Sequence, residues 1–205
     1  MVEVKLYDWN GVLVSAEGFR TWLKQTHTDL HHQFVELGQK DEVNTTEVRR
    51  IYEEATNLSL YPLELMDGAK ERLIQDYSSG FTRTIFTSIP RHTLNSQLFD
   101  LGIQDLVDEV VVLEDIAARF NLPANIKENP QVFTALLELV RVELGRPLTY
   151  VDDGIQRVEA AVIGNQQFIQ QGRLGLERIY HFDRKAHPTT GDKDYILINN
   201  LSLVN

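Results

Sequence analysis

The chain of 205 residues has no cysteine. That excludes a disulfide scaffold, a thiolate zinc site and a cysteine nucleophile, and it suits a reducing compartment. No apolar run approaches the roughly 20 residues of a transmembrane helix. The first ten residues already carry Glu3, Lys5 and Asp8, unlike a signal peptide. Basic residues are scarce: 20 Lys and Arg stand against 30 Asp and Glu, a net charge of −10. So acidic a chain lacks the footprint of a general nucleic-acid binder and is repelled by anionic membrane surfaces. The expectation is a cytoplasmic protein with neither nucleic acid nor membrane as partner. Repeats and low-complexity tracts are absent too. With 42% hydrophobic and 24% charged residues the composition is globular, which excludes a disordered, collagen-like or coiled-coil chain. The length suits one substantial domain with a small insertion and is short for two full ones.

What is present is an alternation of short apolar runs with longer helical patterns. Residues 2–7, 82–87, 110–113, 148–151, 178–182 and 195–198 read as strands, most of them rich in β-branched or aromatic residues and bounded by turns. Helical spacing predicts helices over 68–77, 92–101, 130–144 and 155–163, with Pro130 suited to a first turn. Strands alternating with helices imply parallel βαβ units and a doubly wound α/β sheet. Residues 15–65 break the alternation. Phe19, Trp22 and Leu23, then Leu30, Phe34, Val35 and Leu37, then Val48, Ile51, Tyr52 and Ala55 repeat at helical spacing with no strand among them. They predict a small helical subdomain above the carboxyl edge of the sheet, where open α/β folds bind ligands.

Four segments fall at the ends of predicted strands or just before helices. Asp8 closes the first strand before Asn10-Gly11; it reads either as a nucleophile or magnesium ligand, or as an ordinary turn cap. Thr87 and Ser88 follow the second strand and suit either phosphate oxygens or a helix N-cap. Lys127 precedes the strongest helix and would neutralise a carboxylate and a phosphoryl group together, unless it is simply solvated. Asp152 and Asp153 end the fourth strand side by side. Their mutual repulsion is easiest to explain if a hard cation lies between them and Asp8.

In this order the segments resemble the haloacid dehalogenase-like (HAD-like) hydrolase superfamily. The resemblance runs through Asp8-Trp9-Asn10-Gly11-Val12, Thr87, Lys127 with Pro130 and Phe133, and Asp152-Asp153 followed by Glu159-Ala160-Ala161. Met66-Asp67-Gly68-Ala69 looks like that family's re-entry from cap to core, and Phe99-Asp100-Leu101-Gly102-Ile103 like the segment after its second motif. The resemblance implies a Rossmann-like core of residues 1–14 and 66–205 with a helical cap of residues 15–65. It implies a small phosphorylated substrate, a nucleophilic Asp8 and an aspartyl-phosphate intermediate. Thr87, Ser88 and Lys127 would hold the phosphoryl oxygens. Magnesium (Mg2+) would be held by Asp8, the Asn10 carbonyl, Asp152 and Asp153.

The sequence departs from the family pattern at Asn10, where its phosphatases carry the aspartate that serves as general acid, and at Val12, where Thr is common. Arg157 stands where an acid is usual, four residues after Asp153. Three readings follow in order: a magnesium-dependent phosphatase; a protein that binds a phosphorylated ligand or a protein partner; a HAD-like hydrolase of other chemistry, for which Lys24 and Lys40 are the candidate Schiff-base lysines. Arg20, Lys24, His27, His31 and His32 are candidates to face the pocket. The three histidines also suggest, weakly, a second metal. Trp9 either walls the pocket or packs beneath the cap.

Overall fold

The computed structural model describes residues 2–36, 42–122, 127–185 and 194–204. Leu37 and Lys40, both singled out above, lie outside the described residues. All six expected strands form: β1 (Glu3–Tyr7), β2 (Thr82–Thr87), β3 (Glu109–Val112), β4 (Arg146–Asp152), β5 (Arg178–Phe182) and β6 (Ile196–Ile198). They build one parallel sheet in the order β3-β2-β1-β4-β5-β6. The chain steps outward from β1 through β2 to β3, then returns to the other side of β1 with β4. The strand order therefore reverses between β1 and β4, and the crevice at their carboxyl ends is where such sheets take ligands.

Successive strand side chains alternate between the two faces. Val4, Leu6 and Phe86 point to one face, where they pack with Ile116, Leu136 and Phe168 of α6 (Leu113–Phe120), α7 (Pro130–Glu143) and α8 (Ile155–Gln170). Tyr7 and Ile85 point to the other, against Leu73 of α4 (Ala69–Ser78) and Leu94 of α5 (Arg91–Asp100). This is the doubly wound α/β architecture expected from the sequence. Helix α6 was not expected. Leu113, read above as the end of a strand, is its first residue, so β3 passes into α6 with no loop between them.

Lys5 shares the Tyr7 face and meets a buried carboxylate there. Asp76 on α4 is 0% exposed and accepts hydrogen bonds from Lys5 Nζ at 3.0 Å, from Tyr7 Oη at 2.5 Å and from Arg72. Burial draws the Lys5 pKa down, with Asp76 opposing it, and pushes that of Tyr7 well up.

Between β1 and α4 the chain is helical: α1 (Glu17–Thr26), α2 (Thr28–His31), a π-helical turn His32–Glu36, and α3 (Glu42–Asn57). Phe19, Leu23, Val48, Ile51, Ala55 and Tyr61 form a separate apolar cluster, and Tyr52 packs against both it and the sheet-side core. Among the described residues no helix is long and apolar enough to cross a membrane.

Candidate active site

Asp8 is the first residue beyond β1. Its N–H bonds to the Val151 carbonyl on β4 at 2.9 Å, so the pairing that ends β1 also fixes where the carboxylate leaves the sheet. Asp152 is the last residue of β4, with Asp153 next to it. Oxygens of Asp8, Asp152 and Asp153 lie within 4.8 Å of one another at the strand-order reversal. Gly11 turns the chain away at φ +90°, and a Cβ there would stand 2.1 Å from Asp153 Oδ2, so this turn requires glycine.

Two cations enter the cluster from different elements. Lys127 lies two residues before Asn129, whose side chain accepts from the Gln131 N–H at 2.9 Å and caps α7. Its Nζ donates to Asp8 Oδ1 at 2.8 Å, to Asp152 Oδ2 at 3.0 Å and to the Phe86 carbonyl at 3.1 Å, which uses all three protons of the ammonium. Arg157 enters from the first turn of α8. Its Nε donates to Asp152 Oδ1 at 2.7 Å, and its Nη2 donates to Asp153 Oδ1 at 2.5 Å and to Asp8 Oδ2 at 3.5 Å. One guanidinium thus touches all three carboxylates. Tyr150 donates to Asp152 Oδ2, the Gly154 N–H to Asp152 Oδ1 at 2.8 Å, and His181 Nε2 lies 3.1 Å from the Asp153 carbonyl.

Burial and the neighbouring Asp152 push the Asp8 pKa above its ordinary value, with Lys127 and Arg157 pulling the other way. Burial acts most strongly on Asp152 too, yet Lys127, Arg157 and the Tyr150 and Gly154 hydrogen bonds together bring it down to about 2. Asp153 is pushed up to about 6 by burial and the Asp8 charge, against the pull of Arg157. The folded chain therefore holds the Asp153 proton to higher pH than the unfolded chain does. Between ~4 and ~6 the folded state binds more protons, so this group's contribution to stability falls as pH rises through that window. Asp153→Asn removes the titration. Its stability relative to the parent is expected to rise by about 1–3 kcal/mol between pH 4 and pH 7, read from urea midpoints. A difference that stays flat with pH would count against the burial and charge coupling described.

Three carboxylates are the hard oxygen donors that magnesium takes. The acidic group is present, but as arranged it does not fit an ion in addition to Arg157. Asp152 spends Oδ1 on Gly154 and Arg157 and Oδ2 on Lys127 and Tyr150, while Asp153 Oδ1 and Asp8 Oδ2 both face the guanidinium. Ion and guanidinium compete for one oxygen of each acid: Asp152 Oδ1, Asp153 Oδ1 and Asp8 Oδ2.

Beside the cluster a cavity of about 810 Å³ is lined by Asn10, Phe19, Arg20, Ser88, Asp153 and Arg157, among others. No family model matches the chain, and no curated protein matches it in sequence. Solved structures do. A HAD phosphatase from Thermococcus onnurineus aligns over 98% of this chain and 95% of its own, at 19% identity and TM-score 0.64. The HAD-hydrolase YfnB from Bacillus subtilis, bound to magnesium, aligns over 98% and 96% at 16% identity and TM-score 0.61. The L-2-haloacid dehalogenase from Xanthobacter autotrophicus aligns over 98% and 96% at 13% identity and TM-score 0.59. The fold is that of the HAD-like hydrolases.

On this HAD-like fold the four segments named from the sequence converge. Thr87 ends β2 buried, and its hydroxyl accepts from the Ile89 N–H at 3.2 Å. It is not the cap of α5, where Pro90 occupies the N-cap. Ser88 is exposed on the cavity wall. Asn10 lines the cavity and accepts from Tyr52 Oη at 3.5 Å.

Other candidates lie elsewhere. Lys24 is paired with Glu36 at 3.7 Å, His32 Nδ1 lies 2.7 Å and His31 Nδ1 3.5 Å from that same carboxylate, and the His27 ring sits against Trp22. The histidines make no metal-holding group among the described residues. Trp9 is fully buried and donates to Gln97 Oε1 at 2.6 Å, so it packs beneath rather than walling the cavity. Sequence reasoning placed Tyr52 on a helix face and Tyr150 in a strand without giving either a part at the site, missed Gln97, and noticed Arg157 only as a departure. Its signal was there: a cation four residues after an acid, at the start of a helix, faces that acid.

Proposed function

We propose that the chain is a cytoplasmic hydrolase of phosphate monoesters of small metabolites, with Asp8 as nucleophile. The observation that carries this reading is the Asp8 carboxylate held at the sheet's reversal point by Lys127 at 2.8 Å and Arg157 at 3.5 Å, beside a cavity that admits a small molecule. Phosphoryl transfer asks for positioning and charge neutralisation more than for covalent novelty. Two fixed cations around one carboxylate supply both.

The steps are those of double displacement. An Asp8 oxygen bonds to phosphorus as the bond from phosphorus to the ester oxygen breaks. The leaving oxygen keeps the electron pair and takes a proton from water. A second water then attacks the aspartyl-phosphate, releasing phosphate and returning Asp8. Lys127 and Arg157 hold the nucleophile and screen the incoming charge, and Thr87 and Ser88 stand at the end of β2 to take phosphoryl oxygens. Residues 15–65 act as the cap over a core of residues 1–14 and 66–205, and the cavity wall they supply selects the substrate. Magnesium, the cofactor implied by the sequence resemblance, would reach Asp8, Asp152, Asp153 and the Asn10 carbonyl only by displacing Arg157.

The dehalogenases that share this fold point to another chemistry, displacement of halide from carbon by the same Asp8 carboxylate. A second reading, binding of a phosphorylated ligand without turnover, draws support from Asn10, whose amide has no proton to exchange. The test is hydrolysis of p-nitrophenyl phosphate by the purified chain. Turnover that Asp8→Asn reduces by about 10³-fold or more is expected, and a rate that Asp8→Asn leaves intact would end the reading.

A further inference from the structure

We infer that the Arg157 guanidinium is the resident cation of this site, standing where a divalent metal ion would otherwise be bound, so that the chain works without one. The inference deepens the reading above and rests on it for the identity of the site.

The argument begins with charge. Three carboxylates whose oxygens lie within 4.8 Å of one another repel, and cations set between them offset that repulsion. Lys127 reaches two of them, Asp8 and Asp152, and leaves Asp153 unanswered. Arg157 reaches all three, and it is the only described cation that touches Asp153. The bonds to Asp152 and Asp153 come from different nitrogens of one planar group, at 2.7 and 2.5 Å, and such a fork holds two oxygens in fixed directions. A metal ion at this place would do the same two things: neutralise the acids and fix their orientation.

The local backbone is built around this side chain. Gly154 separates Asp153 from α8, and a Cβ there would stand 2.6 Å from the guanidinium carbon of Arg157. With glycine there the guanidinium lies directly over the helix start. On the other side Gly11 carries no Cβ, which leaves the Asp153 carboxylate room to turn toward the guanidinium. The Arg157 side chain is 23% exposed and lines the cavity, so it is available to an incoming phosphoryl group and is not sealed into the core.

A guanidinium and a magnesium ion differ in what they permit. The ion is exchangeable and chelatable; the guanidinium is covalently part of the chain and stays charged at every working pH. The site should therefore be indifferent to chelators and should resist magnesium until Arg157 is removed. Arg157→Asn leaves three carboxylates with Lys127 as their one remaining described cation, and a neutral oxygen donor in the guanidinium's place, which is a donor set that magnesium accepts.

Calorimetric titration of the chelator-treated wild type and of Arg157→Asn with magnesium chloride tests this directly, without need of turnover. The wild type is expected to show no saturable binding. Arg157→Asn should bind saturably, at least roughly tenfold tighter. Equal binding by the two proteins overturns the assignment, and so does an absence of binding by both, since Arg157 would then not be what excludes the ion. Circular dichroism establishes that the variant is folded. Should it not fold, p-nitrophenyl phosphate hydrolysis by the wild type decides. A rate unchanged by excess EDTA supports the resident guanidinium, and a rate lost in EDTA and restored by magnesium overturns it. A wild type that hydrolyses nothing in either buffer counts against the phosphatase reading alone, and titration of the wild type by itself then judges the cation: saturable magnesium binding overturns the assignment, and its absence supports it.

Discussion

Asp76→Ala is expected to cost about 3–5 kcal/mol of folding stability, although Asp76 takes no part in the site. Its carboxylate is the shared acceptor for Lys5, Tyr7 and Arg72, and all four groups are buried. The truncation removes one charge and strands two. Lys5 is 1% and Arg72 4% exposed, so neither head group can recover water without opening the seam between β1 and α4. Arg72 keeps its bond to the Val204 carbonyl, and the Lys5 ammonium stays 4.2 Å from the Phe81 ring, but neither partner carries a formal charge. For a chain of this length the loss corresponds to a melting point lowered by roughly 6–20 °C. Urea unfolding of the variant beside Lys5→Met settles the mechanism. Lys5→Met leaves Asp76 with Arg72 and Tyr7, strands no cation, and should cost clearly less. A loss below about 1 kcal/mol for Asp76→Ala would mean that the network is not what joins strand to helix.

That network shows where the sequence was legible and where it was not. The six strands could be read because each is a short β-branched or aromatic run ended by a turn, and runs such as Thr82–Thr87 carry their own boundaries. Helix α6 could not, because the apolar run of β3 continues into Leu113 and no Gly or Pro marks the change of period. Strand order is a property of the packed sheet, so the meeting of Asp8 with Asp152 at the reversal became visible only in three dimensions, and resemblance to a known family stood in for it. The acids, the lysine and the strand-end threonine each sat beside a local marker. Arg157 did not. Its bond to Asp153 is within one helical turn, but its reach to Asp8 crosses 149 positions. Trp9, Gln97 and Tyr52 likewise meet across long separations, and nothing in their own neighbourhoods announced it.

Asn10→Asp is expected to speed p-nitrophenyl phosphate hydrolysis and to speed hydrolysis of an alkyl phosphate far more, by about 10²–10⁴-fold. The two substrates differ in what they ask of residue 10. A nitrophenolate departs without a proton, whereas an alkoxide needs one delivered as the bond to phosphorus breaks. The Asn10 amide cannot supply it. The replacement is close to isosteric, and its surroundings accommodate a carboxyl group. Tyr52 Oη donates to Asn10 Oδ1 at 3.5 Å; the same hydroxyl accepts from Gln97 Nε2 at 2.8 Å, and Gln97 Oε1 is fixed by Trp9 at 2.6 Å. This chain of bonds would hold the introduced carboxyl group as it holds the amide. A carboxyl group two residues from Asp8 supplies what the amide lacks, a proton that can be given to the leaving oxygen as the bond to phosphorus breaks. After giving up that proton it can take another from the attacking water. Intact-mass analysis of the parent protein belongs with the assay, because deamidation at Asn10-Gly11 would itself produce the aspartate form. Adding Asp8→Asn to the gained activity should silence both substrates. Equal acceleration of the aryl and alkyl esters would exclude proton delivery as the source of the gain. No acceleration at all, in a variant that still binds inorganic phosphate as the parent does, would favour a site kept for holding phosphorylated ligands over one kept for cleaving them.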